Sequence, residues 1–167
     1  VYGLRANGFR LGGTNNRGIG AIHIPESFQA DELVNYEFGI KTVFGGNRNT
    51  FNASVFLMEW DNLQTAGRDL TGAFGFIGNA GSAKVQGIEV DVASALTDRL
   101  YVTGQITYLS KKELTEDQLS DDIRAPGLKG DQIPRVPEYT AAFTAQYSFD
   151  LPIAEWAGAV RLEGSYT

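Results

Sequence analysis

Residues 35–44 read NYEFGIKTVF, and this stretch decides the fold class. Every second side chain is apolar or aromatic, with one threonine among them: Tyr36, Phe38, Ile40, Thr42 and Phe44. The alternate positions are polar or small, apart from one valine: Asn35, Glu37, Gly39, Lys41 and Val43. Successive side chains of a strand point to opposite faces, so the pattern predicts a strand with one apolar and one polar face.

The same alternation recurs along most of the chain. Six further segments show it: residues 2–7, 51–60, 87–96, 100–109, 140–149 and 156–167. The acidic stretch at 113–123 has few apolar partners and predicts at most a short helix within a loop. The sequence therefore predicts an all-β fold, an antiparallel meander of about seven strands.

The connections between these strands alternate between short and long. The short ones are residues 45–48, 97–99 and 150–155, and the long ones are residues 11–31, 65–84 and 111–138. Loops of about twenty residues are uncommon in compact soluble domains. Transmembrane barrels of the outer membrane have short periplasmic turns at one end and long extracellular loops at the other. The strand length of ten or eleven residues also agrees with such a barrel. At a tilt near 45° these strands rise roughly 25 Å, which is the height of the apolar band on the outside of the barrel.

Charged residues near the middle of the predicted strands point to water on one face. They are Arg5, Glu37, Lys41, Glu89, Asp91, Arg161 and Glu163. An unpaired buried charge costs several kcal/mol, so this face must be solvated or densely paired. In a barrel these residues would face the lumen, and in a soluble sheet they would lie on its open face.

Composition excludes several classes of function. The 167 residues carry 14 Lys and Arg against 20 Asp and Glu, a net charge of −6, which makes a poor surface for nucleic acid. With no cysteine, thiol chemistry and cysteine metal sites are absent. His23 is the only histidine and lies in a long connection. A divalent cation could be held by Asp121 and Asp122 together with the acidic cluster of Glu113, Glu116, Asp117 and Asp131, but a solvated loop is the favoured interpretation. We therefore predict no metal, no cofactor and no enzyme activity.

Several segments match a known family in order and spacing. They are NGFR at 7–10 with GG at 12–13 and Asn15, PES at 25–27, NYEFGIK at 35–41, NASVFLMEWDN at 52–62, NAG at 79–81 with QGIE at 86–89, and Tyr108 followed by Pro134, Pro137 and the strand at 139–149. Together the series resembles the C-terminal β-barrel of TonB-dependent outer-membrane receptors, which import siderophores and related scarce nutrients.

The resemblance implies a 22-stranded transmembrane barrel around an N-terminal plug domain. Plug, TonB box, signal peptide and final strands are not found in the sequence, so we expect residues 1–167 to be a partial barrel. The implied function is TonB-energised import of a ferric siderophore or similar large nutrient across the outer membrane of a Gram-negative bacterium. The implied partners are outer-membrane lipid, the ligand, and the TonB complex through the missing N-terminal part. A passive porin-type barrel and a soluble β-sandwich that binds carbohydrate remain as alternatives.

Ligand contacts are expected in the long connections. Two phenylalanines lie in a glycine-rich stretch, and cationic residues occur in the same and the following connection: Arg68, Phe74, Phe76, Arg124 and Lys129. Exposed rings and cations are suited to an anionic chelate, so we predict ligand-binding roles for these five residues.

Overall fold

The computed structural model describes residues 1–16, 24–117, 127–151 and 156–167. The described residues form strands and turns and no helix, with these bounds: β1 (Tyr2–Arg10), β2 (Gly13–Thr14), β3 (Ser27–Phe28), β4 (Asp31–Phe44), β5 (Asn49–Asp61), β6 (Gln64–Arg68), β7 (Gly75–Asn79), β8 (Ala83–Ala95), β9 (Leu100–Leu114), β10 (Tyr139–Leu151) and β11 (Trp156–Tyr166). In the stretch predicted as a short helix, residues 113 and 114 belong to β9 and residues 118–123 lie outside the described part.

The seven long strands form one antiparallel sheet in the order β1-β4-β5-β8-β9-β10-β11. Consecutive long strands are neighbours throughout, so the predicted all-β meander of seven strands is confirmed. The short strands pair as two small hairpins within the long connections, β2 with β3 and β6 with β7. We call the sheet end that carries these connections the loop end, and the opposite end the turn end.

Left-handed residues close the tight turn between β4 and β5. Gly45, Gly46 and Asn47 have φ of 64°, 68° and 67°, which glycine and asparagine adopt at least cost. Arg48 then reaches the next turn, where its guanidinium donates to Asp98 at 2.7 Å. This ion pair is largely exposed, so it orients the turn end but contributes little stability.

Glycine and aromatic residues face each other across strand pairs. In six of the pairs that are direct partners in the register the ring lies against the glycine: Tyr2 with Gly39, Phe28 with Gly13, Phe56 with Gly87, Phe76 with Gly67, Phe143 with Gly164, and Phe149 with Gly158. In each pair the ring occupies the space where a Cβ of the glycine would lie. Six of the 20 glycines therefore make room for rings on a tightly packed sheet surface.

Candidate functional site

One face of the sheet is apolar and exposed. Residues paired directly across an antiparallel ladder share a face, so the register assigns each side chain. The apolar face carries, among others, Tyr36, Phe38, Val55, Ile88, Val92, Ile106, Phe143, Tyr147, Val160 and Leu162. Phe38 is 61% exposed, Ile106 56% and Leu162 61%. Soluble monomers rarely expose a contiguous apolar surface of this kind, so the face is suited to lipid or to another apolar partner.

The opposite, polar face carries six of the seven residues predicted to face a lumen: Glu37, Lys41, Glu89, Asp91, Arg161 and Glu163. They interact with polar neighbours on this face. Asn52 donates to Asp91 at 2.7 Å, and Arg161 forms an ion pair with Glu163. The Tyr2 hydroxyl donates to Glu37, while the Lys41 ammonium lies 5.1 Å from the centre of the Tyr2 ring. The sheet therefore separates a charged surface from an apolar one.

Arg5 is the exception, and its predicted position is wrong. It pairs with Tyr36 in the register, on the apolar face, and its guanidinium carbon lies 5.8 Å from the centre of the Tyr36 ring. In β1 the polar face is occupied instead by Tyr2 and Arg10, which bind carboxylates of β4. An aromatic neighbour accommodates the cation of Arg5 on the apolar face through a cation–π contact.

A buried carboxylate joins the strands to the connections at the loop end. Asp31 is 3% exposed and lies on the polar face, beyond the apolar part of the sheet. The Arg10 guanidinium donates to both of its oxygens, with Nε at 3.1 and 3.0 Å. The Trp60 indole N–H and the Gln64 backbone N–H each donate to Oδ2 at 3.0 Å. Arg10 is the main cause that lowers the pKa of Asp31 to about 2, with Gln64 and Trp60 contributing and burial opposing.

Amide side chains fasten the first long connection to the second. Asn15 accepts from the Ile77 N–H at 2.9 Å and donates to the Ile77 carbonyl at 2.8 Å, as a neighbouring strand would. Asn79 accepts from the Gln29 N–H at 2.8 Å and donates to the Gln29 carbonyl at 3.1 Å. The Gln64 amide donates to the carbonyls of Leu11 and Gln29 at 3.0 and 2.9 Å. Residues 11–16 and 24–30 are therefore held against the β6–β7 hairpin and the start of β6 by side-chain hydrogen bonds.

In the described part of the chain, the third long connection is fastened to the second through Ser82. Thr115 donates its backbone N–H to the Ser82 carbonyl at 2.8 Å, and the Ser82 hydroxyl donates to Glu116 at 3.1 Å. Gly81, with φ of 67°, allows the chain to turn beside Glu116.

These connections enclose a cleft of about 1300 Å³ at the loop end. Its walls include Asn15, Arg68, Phe76, Leu114, Asp131 and Gln132. The connections lean over the polar face. There Asp31, Ala83 and Leu114 are buried, whereas Glu32 and Glu59 on the other face are exposed. The cleft thus lies on the charged side of the sheet, with both polar and apolar walls.

The predicted ligand residues have different positions relative to this cleft. Arg68 lines it and is exposed, with one guanidinium N–H donated to the Gly72 carbonyl at 3.1 Å. Phe76 also lines it but is only 6% exposed, because its ring packs against Gly67 and Gly78, so the predicted exposed ring is not observed there. Phe74 is half-buried and Lys129 is exposed, and neither lines the cleft. Arg124 lies outside the described residues.

The described acidic residues of the third connection are dispersed, and Asp121 and Asp122 lie outside the described part. Glu113 pairs with Lys111 at 3.3 Å, and Asp117 accepts from the Lys129 backbone N–H at 2.7 Å. Among the described residues no group of three or more His, Asp or Glu side chains is placed to hold a metal ion. His23 falls outside the described part. No helix within the described ranges is long and apolar enough to cross a membrane.

Comparison with known proteins gives a family for the chain. A family model described as TonB dependent receptor-like, beta-barrel matches residues 2–167. The probable TonB-dependent siderophore receptor PiuA of Acinetobacter baumannii is 27% identical over 158 residues, covering 92% of this chain and 20% of PiuA.

Solved structures share the fold. The ferric yersiniabactin uptake receptor FyuA of Yersinia pestis matches 96% of this chain with a TM-score of 0.67 and 17% identity. The siderophore receptor PiuA of A. baumannii matches 83% with a TM-score of 0.56 and 21% identity. The chain covers 26% and 22% of these two structures, so it spans about a quarter or less of its relatives. Because the family model matches nearly the whole chain, this protein belongs to the TonB-dependent receptor-like β-barrel family.

Proposed function

We propose that the chain forms seven neighbouring strands of a 22-stranded barrel in an outer-membrane, TonB-energised receptor that imports a ferric siderophore or a similar large nutrient. The family supports this, as do relatives whose names identify them as siderophore receptors. These relatives are receptors and not enzymes. The turn end would face the periplasm of a Gram-negative bacterium, and the long connections would be extracellular.

The position of the cleft carries the proposal. The long connections lean over the charged face, which would be the lumen wall, and leave the apolar face open to lipid. A ligand caught in the cleft would therefore lie above the lumen. The plug and the TonB contact would come from parts of the protein outside this chain, and would gate the lumen and supply the energy.

Arg68 is our candidate for ligand contact. It is an exposed cation on the cleft wall, and charge-assisted hydrogen bonds from guanidinium suit the carboxylate or phenolate oxygens of an anionic chelate. Phe74 lies in the same hairpin connection as a second candidate. The buried ring of Phe76 would support the wall rather than contact the ligand directly.

Uptake of radioactive iron by cells that carry the full-length gene tests this function. A panel of catecholate, hydroxamate and phenolate siderophores loaded with iron is offered to cells with and without the gene, before and after the proton-motive force is collapsed. We expect one class to be taken up only with the gene and only while the cells are energised. Uptake that persists without energy would support the porin-type alternative, and unchanged uptake of every class after deletion would overturn the proposal.

Arg68→Ala tests the contact itself. We expect it to weaken binding of the transported ferric siderophore by about tenfold, as loss of one charge-assisted hydrogen bond would. Lys129→Ala is the matched control, because it removes an exposed cation that does not line the cleft. Equal affinities of both variants would exclude Arg68 as a contact.

A further inference from the structure

Charges on the apolar face are confined to its loop end. Within the described strands these charged residues are Arg5, Glu32, Glu59, Asp61, Lys84, Lys111 and Glu113. The register places them in the three cross-strand rows nearest the loops. From the row of Phe38, Val55 and Ile88 to the turn end, the described part of this face carries none. We call this set the outward charged band.

Tyrosines lie along the edge of the outward charged band that is nearer the turn end. Tyr36 shares a row with Arg5, and Tyr108 and Tyr139 stack in the next row with ring centres 4.7 Å apart. Tyrosine favours the boundary between hydrocarbon and head groups because its ring is apolar and its hydroxyl polar. The tyrosines therefore mark where hydrocarbon contact would end.

The outward charged band contains positively and negatively charged side chains that contact one another. Lys84 lies between Glu59 and Glu113 in one row, and its ammonium is 3.6 Å from Glu59. Lys111 is 3.3 Å from Glu113. These side chains are about a third to a half exposed, so both cations and carboxylates remain accessible.

The other end of the apolar face differs. It finishes in Phe44, Leu151 and Trp156, with no charged side chain of the described strands on this face. The turn end thus suits a narrow boundary between hydrocarbon and water, whereas the loop end suits a polar layer several residues deep. From the row of Arg5 to the row of Glu32 is four residues along β4, about 13 Å of strand.

We propose that the outward charged band binds the head groups of lipopolysaccharide, which are phosphates bridged by divalent cations. Arg5, Lys84 and Lys111 contact the phosphates, and the neighbouring carboxylates contact the bridging cations. This layer offers both signs of charge, as the band does, and is found in one leaflet only, as the band is found at one end only. The inference rests on the proposed placement of the loops outside the cell.

The test uses the full-length receptor, purified in detergent and freed of lipid. Purified lipopolysaccharide is titrated in with magnesium, and bound lipopolysaccharide is measured against the variant Lys84→Gln, Lys111→Gln. A cation near an anionic lipid surface contributes about a fivefold increase in affinity, so we expect roughly 25-fold weaker binding for the double variant. Lys41→Gln is the matched control, since Lys41 lies on the polar face, and it should bind as the parent does.

A second variant, Lys84→Arg with Lys111→Arg, keeps the charges and should keep the affinity. Each variant is first checked for the folded barrel by its altered mobility in unheated gels. Equal binding by the parent and the glutamine variant, or loss of binding in the arginine variant, would overturn the inference. A receptor that inserts and takes up iron but fails this test leaves the proposed function intact, whereas one absent from the outer membrane refutes both.

Discussion

Replacing Asp31 with alanine should free the second long connection from the sheet. Asp31 is buried at the end of β4 and accepts hydrogen bonds from Arg10, Trp60 and the Gln64 backbone. Its removal leaves the N–H groups of Trp60 and Gln64 without an acceptor, at about 1–3 kcal/mol each. Arg10 is half exposed and can be hydrated again, so it adds little. We expect a loss of about 3 kcal/mol, on the order of 100-fold in the local opening equilibrium.

Hydrogen exchange read by mass spectrometry measures this opening in the full-length receptor in detergent micelles. Amides of residues 62–68 should exchange on the order of 100-fold faster in Asp31→Ala, while the long strands keep their protection. Asp98→Ala is the control, because Asp98 forms an exposed ion pair with Arg48 at the turn end and should change exchange little. Unchanged exchange at 62–68 in Asp31→Ala would refute the role given to this carboxylate.

Three further predictions follow from the same contacts. Because the pKa of Asp31 is lowered to about 2, its contribution should be complete above about pH 4 and lost as the pH falls toward 2. The protection factors of amides 62–68, which are exchange rates corrected for the intrinsic rate at each pH, should therefore fall in that window in the parent and not in Asp31→Asn. Gly87→Ala should destabilise the barrel by about 1–3 kcal/mol and lower its unfolding temperature, because the new Cβ would lie 2.4 Å from the Tyr108 carbonyl oxygen. Gly104→Ala, where the nearest atom to the new Cβ is 3.4 Å away, should be tolerated. Equal unfolding temperatures of the two variants in gel-shift assays would contradict this account of the packing. Asn15→Ala should make the first long connection more susceptible to protease, while the receptor is still inserted into the outer membrane. Protease resistance equal to that of the parent would show that the hydrogen bonds to Ile77 are dispensable.

The long strands are predictable from sequence because alternation is a local signal. Residues 35–44 show their two faces without any knowledge of partners, and β4 continues that pattern to Asp31. The hairpins β2–β3 and β6–β7 escape prediction because they are short and rich in glycine. Their stability comes from ring packing across the strands and from fastening to other connections, and neither appears in a local pattern.

The errors at individual residues have the same origin. Arg5 is assigned to the wrong face when charge alone decides, since the neighbour that accommodates it, Tyr36, lies 31 positions away in sequence. The glycine-rich sequence around Phe76 predicts an exposed ring, yet Gly67 and Gly78 are what allow this ring to pack against the backbone. Asn15 is noticed in sequence only as part of a family pattern, and Asp31 is not noticed at all, because their roles depend on bonds to residues far away in sequence.

Accessibility along β8 tests the central claim most directly. This chain contains no cysteine, so single cysteines at 89, 90, 91 and 92 of the full-length receptor can carry spin labels in a lipid bilayer. We predict that labels at 90 and 92, on the apolar face, collide with oxygen dissolved in the lipid, while labels at 89 and 91, on the polar face, collide with a water-soluble nickel complex. Equal access of the nickel complex to all four positions would contradict the account and favour a soluble sheet.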